Sequence, residues 1–260
     1  MNSLVRHFNL EDAKPLSAPI DTNTHLSKHN CPISMEDKQE MKGIPYREII
    51  GALNWVAVGT RPDIAFIVSQ LAQFLENPSR VHWEAAKCVV RYLKTIKGLK
   101  LTYSGNERRG FEGFSDADGA TQDHRWAISG FVILVDGGAV SWSSKKQELV
   151  TLSTMEAEYV GATHAAKELI WFWHLIKEIF QLLLSPTVLH LDNQLAIVLA
   201  NSGGQFHACS KHIGIRYHLI KFCVQDGSII LSYCPTEDML ADILTKAVPL
   251  IKHKYFTHDS

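Results

Sequence analysis

From Tyr46 onward the chain carries apolar residues at helical spacing. In Tyr46-Arg47-Glu48-Ile49-Ile50-Gly51-Ala52-Leu53-Asn54-Trp55-Val56-Ala57, the side chains of Ile49, Leu53 and Val56 share one face, which predicts a helix. A second helix is predicted from Ile64 to Phe74, after a Pro62 placed where a first turn tolerates proline. A third runs from His82 to Thr95 on Trp83, Ala86, Val90 and Leu93. Leu99–Tyr103 reads as a short strand. Ahead of all these, residues 1–42 lack a periodic apolar pattern and are rich in Asp, Asn, Ser, Pro and Lys, so a mostly extended or mobile leader is expected there.

Ser104-Gly105-Asn106-Glu107-Arg108-Arg109-Gly110 is turn-rich and charged, and marks a domain boundary. Beyond it the pattern shortens to strand-like runs, Phe111–Asp116, Trp126–Val135 and Ala139–Ser144. The last two are joined by the hairpin signal Asp136-Gly137-Gly138. A long helix is predicted from about Thr154 to Phe180, then a strand at Thr187–Leu191 and a helix beginning at Asn193. Another helix near Ile213–Val224, a strand at Ser228–Tyr233 and a final helix near Glu237–Lys246 follow. Three antiparallel strands followed by alternating helices and strands predict an α/β fold, a mixed sheet with helices on its faces.

Composition adds limits. Of the 260 residues, 46% are hydrophobic and 20% charged, a globular balance. No apolar run approaches the length of a membrane span, and the polar start Met1-Asn2-Ser3-Leu4-Val5-Arg6 does not read as a signal peptide. Five cysteines (Cys31, Cys88, Cys209, Cys223, Cys234) without a close CxxC pair predict reduced thiols in an intracellular compartment. The formal net charge of −1 does not announce nucleic-acid binding, so any such contact must use local basic patches.

The candidate chemistry lies in four acids on four predicted elements: Asp116 at a strand end, Glu158 on the long helix, Asp192 after a strand, and Asp242 on the closing segment. Carboxylates beside a hydrophobic core are expensive, and a repeated pattern of them points to metal or catalysis. Phosphodiester hydrolysis needs an activated water and relief of charge on the leaving oxygen, which divalent cations on hard oxygen ligands supply. Glu156 and Glu158 lie roughly 200° apart around a helix, so one site cannot take both. Continuing from Glu158 at helical spacing gives Ala162, Ala165, Leu169, Phe172, Ile176 and Phe180, all apolar. The track from Glu156 runs through Val160, Thr163, Lys167 and His174. Glu158 is therefore the acid on the core-facing stripe. Asp116 and Asp118 share a strand face, and alternation does not separate them. Taken singly each acid has a bland alternative: Asp192 can cap the helix beginning at Asn193, and Glu156 fits the capping box Ser153-Thr154-Met155-Glu156.

Lys145, Lys146, Lys211, His212, Arg216, His218 and Lys221 either line a phosphate-binding groove or form a solvated face. Trp126 and Trp142 are expected in the core in preference to base-stacking platforms. His207, Cys209, His212 and His218 fit no standard zinc spacing.

Several segments match a known family in order and spacing. They are Phe114-Ser115-Asp116-Ala117-Asp118, Ser141-Trp142-Ser143-Ser144-Lys145-Lys146-Gln147, Leu152-Ser153-Thr154-Met155-Glu156-Ala157-Glu158-Tyr159, Asp192-Asn193-Gln194, Lys211-His212-Ile213 and Ala241-Asp242-Ile243-Leu244-Thr245-Lys246. On these, residues 113–248 resemble the ribonuclease H domain of copia-type LTR retrotransposon polyproteins. Upstream, Tyr46-Arg47-Glu48, Gly51-Ala52-Leu53, Thr60-Arg61-Pro62-Asp63-Ile64-Ala65 and Arg91-Tyr92-Leu93-Lys94 resemble the end of the preceding reverse transcriptase region.

The resemblance implies a ribonuclease H-like mixed five-stranded sheet with flanking helices, preceded by a small helical reverse transcriptase connection. The expected limits are a leader at 1–42, the helical part at 43–105, the ribonuclease H-like domain at 110–250 and a tail at 251–260. The implied activity is metal-dependent cleavage of the RNA strand of RNA–DNA hybrids. Asp116, Glu158, Asp192 and Asp242 would be the catalytic and metal-binding residues, holding two Mg²⁺ ions for which Mn²⁺ can substitute. Asp116 is preferred to Asp118 because a small residue, Ala117, follows it. Lys145, Lys146, Asn193, Gln194, Lys211, His212 and Arg216 would meet the hybrid. The implied partners are the hybrid and the rest of a retrotransposon polyprotein, with no membrane, in a cytoplasmic virus-like particle or the nucleus. The sequence departs from the family at Gly119, where Trp is usual, and at Gly214, where Asp is common. It lacks the polymerase Asp-Asp pair and a clear counterpart of the histidine near the last acid. The alternative reading is a catalytically inactive, nucleic-acid-binding remnant.

Overall fold

The structure, a computed structural model, describes residues 1–103, 111–119, 126–151, 153–181, 186–201 and 211–258, with main chain only at 180, 211–215 and 258. It divides into two compact units. The first takes Met1–Lys100 together with a stretch that begins at Ala247, and the second takes Leu101–Lys246.

In the first unit the expected mobile leader is instead anchored. The helix α1 (Asn2–His7) buries Val5, and Phe8 follows it into the core. Leu4, Leu10, Leu16, Ile20 and Leu26 pack against the same cluster. These residues show no period because most lie on loops, each inserting a single side chain, so periodicity could not reveal them. Charged side chains hold the loop as well: Arg91 Nε donates to Lys14 O at 2.7 Å and Lys94 Nζ to Ala13 O at 3.0 Å. The short α2 (Met35–Glu40) is capped by Ser34, whose hydroxyl accepts from Asp37 N at 3.0 Å.

The helices α3 (Tyr46–Thr60), α4 (Ala65–Ala72) and α5 (Arg80–Thr95) form the body of the unit. Their cores meet through Ile49, Leu53, Ile67, Leu71, Val90 and Leu93, all at most 1% exposed. A 3-10 turn at Pro62–Ile64 shortens the second predicted helix. A buried network holds this turn: Arg61 Nε and Nη2 donate to Asp63 Oδ1 and Oδ2 at 2.8 and 2.5 Å, and Tyr92 Oη donates to Asp63 Oδ2 at 2.5 Å. The expected tail forms a helix over Leu250–His258. Its Phe256 is buried, and the His253 ring meets Tyr92 edge-on at 5.4 Å. The strand expected at Leu99–Tyr103 does not form. Instead Tyr103 Oη donates to Ala139 O at 2.9 Å, within the second unit.

The second unit is built on a sheet in the order β3-β2-β1-β4-β5. Strands β1 (Phe111–Asp118), β2 (Ile128–Val135) and β3 (Gly138–Lys146) run antiparallel. The tight turn between β2 and β3 holds Asp136 at φ 49° and Gly137 at φ 80°, the left-handed backbone that its sequence signal requires. The helix α6 (Thr154–Phe180) carries the chain to β4 (Thr187–Leu191), which pairs parallel with β1. Then α7 (Gln194–Asn201) and α8 (Lys211–Gln225) lead to β5 (Ile229–Tyr233), parallel with β4. Among the described residues this is the five-stranded mixed sheet with flanking helices that the ribonuclease H resemblance implies.

The face of α6 bearing Ala162, Ala165 and Leu169 packs on Ile133, Leu189 and Leu191, and Tyr217, Ile220 and Cys223 of α8 close the same cluster. Each buried Leu or Ile here contributes roughly 1.5–3 kcal/mol. The final predicted helix is shorter than expected, a 3-10 turn at Leu240–Leu244.

Candidate metal centre

Asp116 lies near the end of the central strand β1, flanked by β2 and β4, and its side chain is 3% exposed. Glu158 lies in the opening turns of α6, which Ser153 starts by accepting Glu156 N at 3.2 Å. Asp192 follows β4 directly. One carboxylate oxygen from each of the three falls within 4.8 Å of the other two, the single such group of metal-ligating side chains among the described residues. Glu156 and Asp118 are outside it.

Small residues allow this convergence. A Cβ at Gly161 would stand 3.2 Å from the carbonyl oxygen of Asp116, so α6 lies hard against β1 one turn after Glu158. Gln147 fixes the same end of the helix, its Nε2 donating to Ala157 O and to Ser129 Oγ at 2.8 Å each. The helix-cap alternative for Asp192 is taken by its neighbour: Asn193 Oδ1 accepts from Ala196 N at 3.1 Å. Asp192 is left half-buried, with Oδ2 accepting from Thr236 Oγ1 at 3.3 Å.

The fourth acid is held differently. Asp242 sits on the 3-10 turn with its side chain fully buried, 2.8 Å from the Lys246 ammonium one turn ahead. The same ammonium lies 3.6 Å from Asp116 Oδ2, and Thr245 Oγ1 donates to that oxygen. Gly130, the partner of Asp116 on β2, makes room for the turn. A Cβ there would lie 2.7 Å from both Leu244 Cβ and Thr245 Cγ2. Thr245, Lys246, Gly130 and Gln147 had no functional reading in the sequence. The signal for the first two was present as i+3 and i+4 spacing from Asp242.

Burial pushes the Asp116 carboxyl up to about 6, helped by the charges of Asp242 and Asp192 and opposed by Lys246 and the Thr245 hydroxyl. Burial raises Glu158 well above the usual carboxylate range, with Asp116 and Asp192 adding to it. Burial works against the Lys246 charge, but Asp116 and Asp242 outweigh it and hold the ammonium firmly protonated. Among the described residues, Glu158 Oε2 is buried without a hydrogen-bond partner. Buried polar oxygens are rarely left so, and three close carboxylates with one orphan oxygen make a hard-oxygen donor set that fits a divalent cation.

Basic residues gather around His164, with Glu148 among them. His164 of α6 is half-buried, and burial together with Arg216, Lys167 and Lys145 lowers its pKa. Lys145 pairs with Glu148 at 2.8 Å, both exposed. Lys146 lies 5.4 Å over the ring of the half-buried Trp126, so that ring serves as a packing surface for a lysine. Gln194 is exposed. The side chains of Lys211 and His212, and residues His207 and Cys209, lie outside the described residues. Among the described residues no helix is long and apolar enough to cross a membrane.

No protein-family model matches the chain. Over 247 residues, 95% of its length, it is 41% identical to the retrovirus-related Pol polyprotein from transposon TNT 1-94 of Nicotiana tabacum, of which it covers 18%. Over 256 residues, 98% of its length, it is 34% identical to that from transposon RE2 of Arabidopsis thaliana, of which it covers 17%. The chain therefore spans less than a fifth of these relatives. A solved structure of LC11-RNase H1 in complex with RNA/DNA hybrid aligns with 52% of this chain and 93% of its own, at 16% identity and a TM-score of 0.39.

Proposed function

We propose, for a chain that belongs to the Pol polyprotein family of copia-type retrotransposons, that its second unit is a ribonuclease H cleaving the RNA strand of RNA–DNA hybrids with a divalent metal. The observation that carries the reading is the meeting of Asp116, Glu158 and Asp192, drawn from a strand, a helix and a strand end, within 4.8 Å. A cation held there would act as a Lewis acid on a phosphate oxygen and acidify a bound water.

The chain's own residues set the conditions for this. Asp116 and Glu158 are anchored on rigid elements and largely stripped of water, so both favour a divalent cation over bare ionisation. Asp192, half-buried, is the ligand nearest to solvent and to an arriving phosphate, and Thr236 orients it. Asp242 belongs to the site through Lys246 and Thr245, which hold Asp116 from the other side. Lys145, Lys167 and Arg216 around His164 offer positive charge to the hybrid backbone, with Lys146, Gln194, Lys211 and His212 as further candidates. Asn193 is occupied as a helix cap, so its part is to place Asp192.

The test is cleavage of a hybrid labelled on both strands, in Mg²⁺ or Mn²⁺. The expected outcome is metal-dependent loss of the RNA strand alone, abolished in Asp192→Asn. Glu158→Gln should be far more damaging than Glu156→Gln. Hybrid binding without cleavage would favour the inactive remnant, and wild-type turnover by Asp192→Asn would remove that residue from the site.

A further inference from the structure

Four buried or half-buried acids do not share one arrangement. Three meet, and Glu158 Oε2 among their oxygens has no hydrogen-bond partner in the described residues, while Asp242 stands outside that group with a lysine bridging it to Asp116. Resting on the metal-centre reading above, we infer that the Lys246 ammonium is a tethered cation filling the position between Asp116 and Asp242, so that the free chain takes one divalent ion, at Asp116, Glu158 and Asp192.

The geometry supports this at each step. Asp242 is fully buried and Asp116 nearly so, and two buried carboxylates in one pocket repel unless a positive charge stands between them. Lys246 reaches both, at 2.8 and 3.6 Å. Its stem springs from the same turn as Asp242, four residues on, so the charge is delivered by the chain and cannot diffuse away. The remaining two-thirds of the Lys246 side chain is covered, and Gly130 lets the turn close over Asp116. Thr245 donates to the same Asp116 oxygen and fixes its orientation towards the lysine. Mg²⁺ binds carboxylate oxygen at about 2.0–2.1 Å, so an ion placed between Asp116 and Asp242 would be repelled by the ammonium and would have to break both of its ion pairs to displace it. In the three-acid group the ammonium makes an ion pair with Asp116 alone among the described residues, and Glu158 Oε2 has no hydrogen-bond partner there.

The direct measurement is the number of Mn²⁺ ions bound per 260-residue chain, read from the loss of the free-ion signal in electron paramagnetic resonance, without substrate. Wild type and Lys246→Arg are expected to hold one ion. Lys246→Met is expected to hold two, and Lys246→Gln, which can still donate to Asp242, serves as the neutral variant if Lys246→Met does not fold by circular dichroism. Two ions in wild type, or a single ion in a folded neutral variant, overturns the tethered-cation inference and leaves the three-acid centre standing. No bound ion in wild type overturns the metal centre itself, and this inference with it. A wild-type ion that survives Asp192→Asn at full affinity places binding elsewhere and likewise overturns both.

Discussion

Gly130→Ala tests how the site is assembled without touching any of its acids. Gly130 pairs with Asp116 across β1 and β2, and its missing side chain is where the turn carrying Asp242, Thr245 and Lys246 comes down. The added methyl would meet Leu244 Cβ and Thr245 Cγ2 at 2.7 Å, and the Leu244 carbonyl carbon at 3.1 Å. Carbon atoms rest about 3.5–4.0 Å apart, so the turn must retreat by roughly 1 Å. Overpacking of this kind costs about 1–3 kcal/mol. A site group displaced by roughly 1 Å can lower a rate on the order of 100-fold. Hybrid cleavage by Gly130→Ala should therefore fall by up to about two orders of magnitude, and urea denaturation should show a loss of about 1–3 kcal/mol. Gly51→Ala on α3 is the control: nothing lies within 4 Å of its added methyl, and helix propensity predicts a gain of up to about 1 kcal/mol with no change in cleavage. A Gly130→Ala chain that cleaves and denatures like wild type would refute the argument that this close approach positions the lysine and threonine.

Two more outcomes follow from charges held out of water. Asp116 has its pKa raised from 3.8 to about 6, so between these values the folded metal-free chain binds more protons there than the unfolded one. The group's contribution is then present at low pH and is lost as pH rises through about 6, with a slope of at most about 1.4 kcal/mol per pH unit. In chelator, wild type should lose stability relative to Asp116→Asn between pH 4 and 6, and added Mn²⁺ should reverse the trend; a parallel pair of profiles would contradict it. In the first unit, Asp63→Ala leaves the 5%-exposed Arg61 guanidinium without its partner and frees Tyr92, so thermal or urea unfolding should show a loss of about 3–5 kcal/mol. A loss below about 1 kcal/mol, the range of exposed pairs, would mean that the network is solvated.

The sheet and the acids were legible for physical reasons that differ from element to element. Strand-like runs and the Asp136-Gly137-Gly138 turn gave β2 and β3, because a hairpin's twist admits few residues at positive φ. Glu158 was separable from Glu156 because its stripe runs on through Ala162, Ala165 and Leu169, which the structure buries; the Glu156 track proved partly buried too, at Val160 and Thr163. What sequence could not supply were contacts between segments distant along the chain. Gly130 meets Leu244 only after folding, and without that meeting Lys246 reads as a surface charge closing a helix. The anchoring of residues 1–42 was hidden for a similar reason, since single side chains such as Val5 and Phe8 leave no period.

The path of the chain between the two units bears on inheritance. The backbone leaves the first unit after Lys100 and re-enters it after Lys246, so the helix Leu250–His258 packs on Tyr92, more than 150 residues earlier in the gene. A single recombination breakpoint anywhere from 101 to 246 would join the closing helix of one parent to the Tyr92 and Asp63 of another. Viable chimaeras between diverged relatives should therefore carry two breakpoints, one near each crossing, exchanging the acid-bearing unit as a cassette while the helical unit keeps its own lid.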